Sequence, residues 1–302
     1  MQARQHWYKD SGLQRRMFIV MALLMALYLA FIAVLFYVGV PVLMIALIAG
    51  GMAFFQYFFS DKMVIATMGA KQVTPAQAPE LHEMVDRLSQ TMDLPKPKVY
   101  LMDTDLPNAF ATGRNPRHAV VCVTTGIINQ LEGRELFAVL AHEMAHVKNR
   151  DVFVLTLASF FATIAGFIVQ WGFFLSMGSR NDDNRGGGNA WLLIYIASFV
   201  VSIVSTLVLI PALSRSRELL ADRNGAEAVG APGDLIAALT KISGNMNQIP
   251  TQDLRRVESA NAFFIVPAIR GVNLGTLTST HPSLEQRIEQ LQAMMRRQEG
   301  IA

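Results

Sequence analysis

Apolar residues run almost unbroken through 17–38 and again through 42–59, with the turn signal Gly39-Val40-Pro41 between them. As helices, both runs are long enough to cross a hydrocarbon core about 30 Å thick. The first is longer than the roughly 7–15-residue core of a signal peptide, and no small-residue cleavage site follows it. The pattern therefore predicts a retained span. Asp61 and Lys62 mark the expected return to water. Two more apolar runs, 152–177 and 190–213, predict third and fourth spans, the last with Pro211 near its end.

Between and after these runs the period changes. Residues 75–92 read as a helix with Leu81, Met84, Val85 and Leu88 on its apolar face. Pro95 and Pro97 stop the chain, and residues 98–102 and 118–124 read as two strands of a small antiparallel sheet. Thr125-Gly126 opens a helical stretch, and no Pro or Gly interrupts 134–148. Asn149-Arg150-Asp151 separates this helix from the third span, and 178–189 reads as a loop. Beyond Glu218 a helix is expected over 234–246, loop with a candidate lid over 251–280, and an amphipathic helix over 283–297. Ser283 and Gln286 form the capping box of that last helix, and Leu284, Ile288, Leu291 and Met295 its apolar stripe. The expected fold is a mainly α membrane protein of four transmembrane helices with an aqueous α+β part. The segments are 1–60 (N-terminal segment and spans one and two), 61–151 (first aqueous part), 152–213 (spans three and four) and 214–302 (second aqueous part).

Composition agrees. Of 302 residues, 52% are hydrophobic and only 16% charged, with a mean hydropathy of +0.33, too apolar for an ordinary soluble domain. The net charge of +3 comes largely from Lys and Arg beside the apolar runs, Arg4, Lys9, Arg15 and Arg16 before the first and Arg215 and Arg217 after the last. These read as orientation signals. With an even number of crossings they place both termini and the aqueous parts in the cytoplasm. No aromatic-studded basic stripe is present, so nucleic acid is not an expected partner. The single cysteine, Cys122, lies in an apolar run. It excludes an intramolecular disulfide, reads as a small buried hydrophobe and fits a reducing compartment.

The chemistry is concentrated in His142-Glu143-Met144-Ala145-His146. A helical step of four turns the chain by about 400°, so both imidazoles project from one face about 40° apart and can hold one Zn²⁺. Glu143 stands beside them, where a carboxylate can take a proton from a water that zinc has acidified. A hydrolytic zinc site wants a third protein ligand, and no third histidine follows at metzincin spacing. His146 lies just before span three and Glu218 just after span four, so both face one side near the membrane surface. Glu218 is the predicted third ligand. Asp222, four residues on, can accept the free ring N–H of a zinc-bound histidine. His82 has no spaced partner and reads as a surface residue. Arg215 and Arg217 serve equally as orientation charges or as oxyanion donors.

The motif His142–His146, Glu218-Leu219-Leu220-Ala221-Asp222, Asn108-Ala109-Phe110-Ala111 and Thr280-His281-Pro282, with four spans in this order, resembles the HtpX heat-shock membrane protease family, relatives of the CAAX prenyl endopeptidase. The resemblance covers nearly the whole chain. It implies a gluzincin-like fold, one zinc per subunit on His142, His146 and Glu218, and Glu143 as general base. It further implies that Asn108, Ala109, Phe110 and Ala111 form an edge strand pairing with extended substrate. An unpaired edge binds any peptide backbone with little sequence preference. Similarity places His281 near the active site, polarising the scissile carbonyl or holding substrate. The implied function is quality control of misfolded or damaged membrane proteins at the cell inner membrane, with self-cleavage among the implied activities. Four spans instead of the prenyl endopeptidases' larger chamber speak against prenylated substrates. The rival readings are a dedicated processing protease for one membrane or lipidated peptide, and a non-catalytic membrane adaptor with a structural zinc.

Overall fold

The computed structural model describes residues 11–178, 187–246, 265 and 279–299. Helix α1 (Ser11–Tyr37) sets the pattern of the membrane part. Leu24, Tyr28, Phe31 and Leu35 recur at steps of four and three and are buried, while Phe18, Leu29 and Phe36 on the other faces lie open. A helix apolar all round, buried along one stripe only, suits a lipid-facing position in a bundle. Its stripe packs on Ala158 and Ala165 of α6 (Asp151–Gly178) and on Ile194 and Val201 of α7 (Gly187–Val204). The Tyr28 hydroxyl donates to the Ala158 carbonyl at 2.5 Å.

Among the described residues, three helices are long and apolar enough to cross a membrane: Ser11–Tyr37, Asp151–Gln170 and Trp191–Val229. The expected second span falls inside α2 (Val42–Met68), which runs on through Asp61 and Lys62 instead of ending there. The fourth expected span also fails to end where its apolar run does. α7 passes through a π-helical turn (Ser205–Leu209) into α8 (Ile210–Val229). The Ile210 N–H reaches back five residues to the Ser205 carbonyl. Pro211 lacks the N–H for an ordinary helical bond, and the widened turn just before it absorbs that defect without a break. One rod therefore runs from the membrane to Glu218 and Asp222.

The aqueous part is built on a four-stranded sheet of order β1-β2-β4-β3, with β1 Lys71–Gln72, β2 Lys98–Met102, β3 Ala109–Thr112 and β4 Val120–Thr124. The sheet is mixed. β2 and β4 are parallel, pairing Lys98 with Val120 and Met102 with Thr124, whereas β3 is antiparallel to β4, pairing Ala109 with Val123. This corrects the antiparallel expectation. Residues 103–119 are too long for a hairpin turn; they carry the chain back past β4, and β3 within them takes the antiparallel place at its side. The crossing is tight: a Cβ on Gly126 would lie 2.3 Å from the Asp105 carbonyl oxygen.

Every residue of β4 is buried, as its unbroken Val-Val-Cys-Val sequence suits a central strand. Around it pack α3 (Pro79–Thr91), the short α4 (Thr125–Gln130), α5 (Gly133–Asn149), α9 (Pro232–Met246) and α10 (Leu284–Gln298). They share one core that includes Val85, Leu88, Val121, Val139, Leu140, Leu239, Ile242 and Leu291. His82 of α3 is buried, not exposed, with its Nε2 3.0 Å from the Val73 carbonyl oxygen. The candidate lid over 251–280 lies outside the described residues apart from Ile265, Ser279 and Thr280.

Candidate metal centre

α5 begins with a capping box in which the Glu132 side chain accepts from the Glu135 N–H and the Glu135 side chain reaches back to the Glu132 N–H at 2.8 Å. It ends at Arg150, whose left-handed φ of 56° turns the chain directly into α6 at Asp151. Between these ends Ala138, Ala141 and Ala145 are buried, each at 1% exposure or less, and α5 packs closely on α8. The partner there is Gly225: a Cβ on it would lie 2.8 Å from both N and Cα of His142. This glycine lets the two helix backbones approach closely, and α8 thereby brings Glu218 and Asp222 over the two histidines.

The donors converge. The Nε2 atoms of His142 and His146 are 3.1 Å apart. Glu218 Oε1 is 3.3 Å from His146 Nε2, and its Oε2 is 3.7 Å from His142 Nε2. Each histidine turns its other nitrogen to a carboxylate: His142 Nδ1 lies 2.9 Å from Asp222 Oδ1, and His146 Nδ1 lies 2.6 Å from Asp151 Oδ2. A carboxylate only accepts, so the hydrogen-bonded Nδ1 of His146 carries the hydrogen and its Nε2 presents a lone pair; Asp222 beside His142 Nδ1 favours the same tautomer there. Two lone pairs and a carboxylate facing one point is an arrangement that a cation satisfies. Glu218 Oε2, itself without a hydrogen-bond partner, fits the same reading. The residues present therefore suit a divalent metal with two nitrogen ligands and one oxygen ligand. Charge points the same way. Burial lowers the affinity of His146 for a proton, but Glu218 and Glu143 outweigh it and hold the imidazole pKa above its ordinary value.

Both carboxylates behind the histidines are themselves gripped. Arg287 of α10 meets Asp222 with Nε at 2.7 Å and Nη2 at 2.6 Å, all fully buried, and its Nη1 donates to the Ile265 carbonyl at 2.6 Å. The guanidinium, despite its own burial, is held protonated by Asp222. Arg217 donates to Asp151, and also to the Asn149 carbonyl at 2.7 Å. Arg217 is thus turned inward as a clamp, which accounts for it better than surface orientation alone. The sequence reading singles out neither Asp151 nor Arg287, and weighs Arg217 only as an orientation charge or oxyanion donor. Arg287 left a signal, a basic residue within the apolar stripe of an amphipathic helix; Asp151 left only its place at the head of an apolar span.

Glu143 is 5% exposed, and its Oε2 accepts from the Ala111 N–H at 2.9 Å. Burial raises its pKa above the usual carboxylate range, against the opposing pull of His142 and His146. A base whose proton affinity is raised in this way holds a transferred proton more readily. Ala111 lies in β3, at the edge of the sheet. Thr124 donates to the Asn108 carbonyl at 3.0 Å, so by antiparallel alternation Ala109 and Ala111 turn their backbone groups away from β4. The buried Asn108 side chain accepts the Ile265 N–H at 3.0 Å. His281 is buried with Nδ1 3.3 Å from Glu218 Oε2, and neither ring nitrogen has a hydrogen-bond partner. A cleft beside His146 is lined by Ala111, Gly113, Arg114, Val147, Arg150 and Phe153.

Comparison with known proteins agrees with this geometry. Residues 75–295 match peptidase family M48. A Protease HtpX homolog from Moorella thermoacetica is 54% identical, covering 96% of this chain and 97% of its own. Protease HtpX homolog 2 from Methanosarcina acetivorans is 50% identical over 97% of this chain and 99% of its own. Protease HtpX homolog 1 from Streptomyces coelicolor is 44% identical over 93% and 92%. The crystal structure of S. mikatae Ste24p superposes with a TM-score of 0.54, covering 93% of this chain and 67% of that one, and at 16% identity it speaks to the fold alone. With a His-Glu-x-x-His helix, an acidic partner on the next aqueous helix and membrane-crossing helices, the chain belongs to peptidase family M48 and is a membrane metalloprotease of the HtpX type.

Proposed function

We propose that the protein is a zinc endopeptidase of the inner membrane that hydrolyses misfolded or damaged membrane proteins on the cytoplasmic side. The observation that carries the reading is the convergence of His142, His146 and Glu218, with ligand atoms all within 4.8 Å of one another and Glu143 alongside. Three donors, not four, form this group among the described residues, which favours an open catalytic site over a closed structural one. Zinc held there supplies Lewis-acid activation of a water and of the scissile carbonyl. Glu143 takes the proton of the attacking water and delivers it to the leaving amine, its carboxylate steered by the Ala111 N–H. The outward backbone groups of Ala109 and the outward carbonyl of Ala111 pair with an extended substrate, and Asn108 anchors that strand. His281, with its ring nitrogens unengaged beside Glu218, donates to the developing oxyanion or holds the substrate.

In this reading α2 is a fourth crossing, residues 61–151 and 214–302 form one cytoplasmic protease, and the basic flanks set its orientation. The start of α6 beside His146 supports a site near the bilayer surface, where a substrate leaving the membrane first meets water. The test is to purify the detergent-solubilised protein and its Glu143→Gln variant, measure bound zinc, and assay cleavage of casein. Zinc in both with cleavage lost only in the variant supports the reading. Zinc in both and casein intact in both favours a dedicated processing enzyme, and no zinc in either overturns the ligand set.

A further inference from the structure

We infer that Asp151 is a positioning residue for His146, and that Arg217 makes its hold depend on the packing of the membrane helices α6 and α8. The inference rests on the zinc reading above. It begins with Arg150, whose left-handed backbone folds the first residue of α6 back under the last turn of α5. Asp151 Oδ2 then lies 2.6 Å from His146 Nδ1, while its other oxygen accepts from Arg217. Asp151 is 4% exposed and Arg217 8%, so water and salt screen the pair little.

Arg217 belongs to a different helix and reaches several elements at once. The amino group that meets Asp151 also meets the Asn149 carbonyl at the end of α5, and Nη1 lies 4.0 Å from Met17 Sδ on α1. It immediately precedes Glu218, so a single turn of α8 supplies the third candidate ligand and the clamp on Asp151. The Asp151 carboxylate fixes the His146 hydrogen on Nδ1 and keeps Nε2 free for metal. Without Arg217 it becomes an unpaired buried charge with reason to turn away. Losing such a partner behind a ligating histidine typically costs about 10–100-fold in metal affinity.

The experiment uses the full-length protein in detergent on a Glu143→Gln background, so that self-digestion does not interfere. Zinc affinity is measured by chelator competition, and the ligand field by the visible spectrum of the cobalt-substituted protein. Asp151→Ala and Arg217→Gln are expected to weaken zinc binding about 10–100-fold and alter the cobalt spectrum. Arg217→Lys keeps a charge at the clamp and is expected to recover part of that loss. Arg217→Gln added to Asp151→Ala is expected to cost no more than Asp151→Ala alone, because the two act as one unit. Unchanged affinity and spectrum in the conservative Asp151→Asn and Arg217→Lys variants and in Arg217→Gln, with only thermal stability reduced, would overturn the inference while leaving the zinc reading intact. A parent protein that binds no zinc overturns both.

Discussion

His142 and His146 each turn Nδ1 to a carboxylate, and each carboxylate is gripped by an arginine, yet the two relays stand on different ground. The Asp222–Arg287 pair sits wholly inside the aqueous core, with both carboxylate oxygens engaged by one guanidinium fork. The Asp151–Arg217 pair sits where the helix of the two histidines meets the membrane helices, and Arg217 divides its donors between Asp151 and a helix-end carbonyl. The first relay is bidentate and geometrically stiff. The second is only as well placed as the helices that carry it. One metal site is thus held by the folding of a soluble core on one side and by bundle packing on the other.

Breaking the core relay should do most damage. Arg287→Ala leaves Asp222 charged and buried with no partner but His142, at a cost of about 3–5 kcal/mol, and should appear as a large fall in the thermal midpoint of the aqueous part together with zinc loss. Gly225→Val acts on both relays by forcing α8 off the His142 backbone, at about 1–3 kcal/mol of overpacking; zinc stoichiometry should drop even where the protein still folds.

Ala111→Pro is sharper, because it touches neither relay; it removes the N–H that steers Glu143 and leaves the Ala111 carbonyl on the substrate edge. That hydrogen bond favours the charged carboxylate, so its loss raises a pKa that burial has already raised. The acid limb of the kcat profile should therefore move to higher pH, with kcat down roughly tenfold at neutrality and zinc affinity unchanged. The smallest effect concerns the core itself. Burial pushes the Cys122 thiol up to about 12. It should resist alkylation at pH 8 until the protein is unfolded. As pH rises through the unfolded thiol's ordinary range toward 12, the folded form holds its proton longer, so stability should decline over that interval.

Much of this was legible in the chain because it is local. A step of four on a helix fixes which side chains share a face, and this is true of His142 with His146 and of Glu218 with Asp222 wherever the helices lie. The apolar runs announced the membrane helices for the same reason. What stayed hidden depends on how elements meet. Two short apolar strands look alike whether they pair parallel or antiparallel, which is why the direction of β2 against β4 differs from the expectation, and the four residues of β3 carry too little pattern of their own, so that only the resemblance marks them as an edge strand. Asp151 joins His146 only because Arg150 takes a left-handed turn, and Arg287 joins Asp222 only because α10 docks on α8. His82 looked like a surface residue because the Val73 carbonyl that covers it lies in a connecting loop.

The uninterrupted rod from Trp191 to Val229 has a practical consequence for anyone seeking a soluble catalytic fragment. A separable domain has a linker where few contacts cross and where the chain can be cut. Here the cut would fall within a helix, at the π-turn, and the discarded piece would take with it the wall against which Arg217 and Asp151 are set. Among the described residues, the helix that carries Glu218 and Asp222 joins the membrane part without a linker, so a fragment cut there loses part of the candidate site's surroundings.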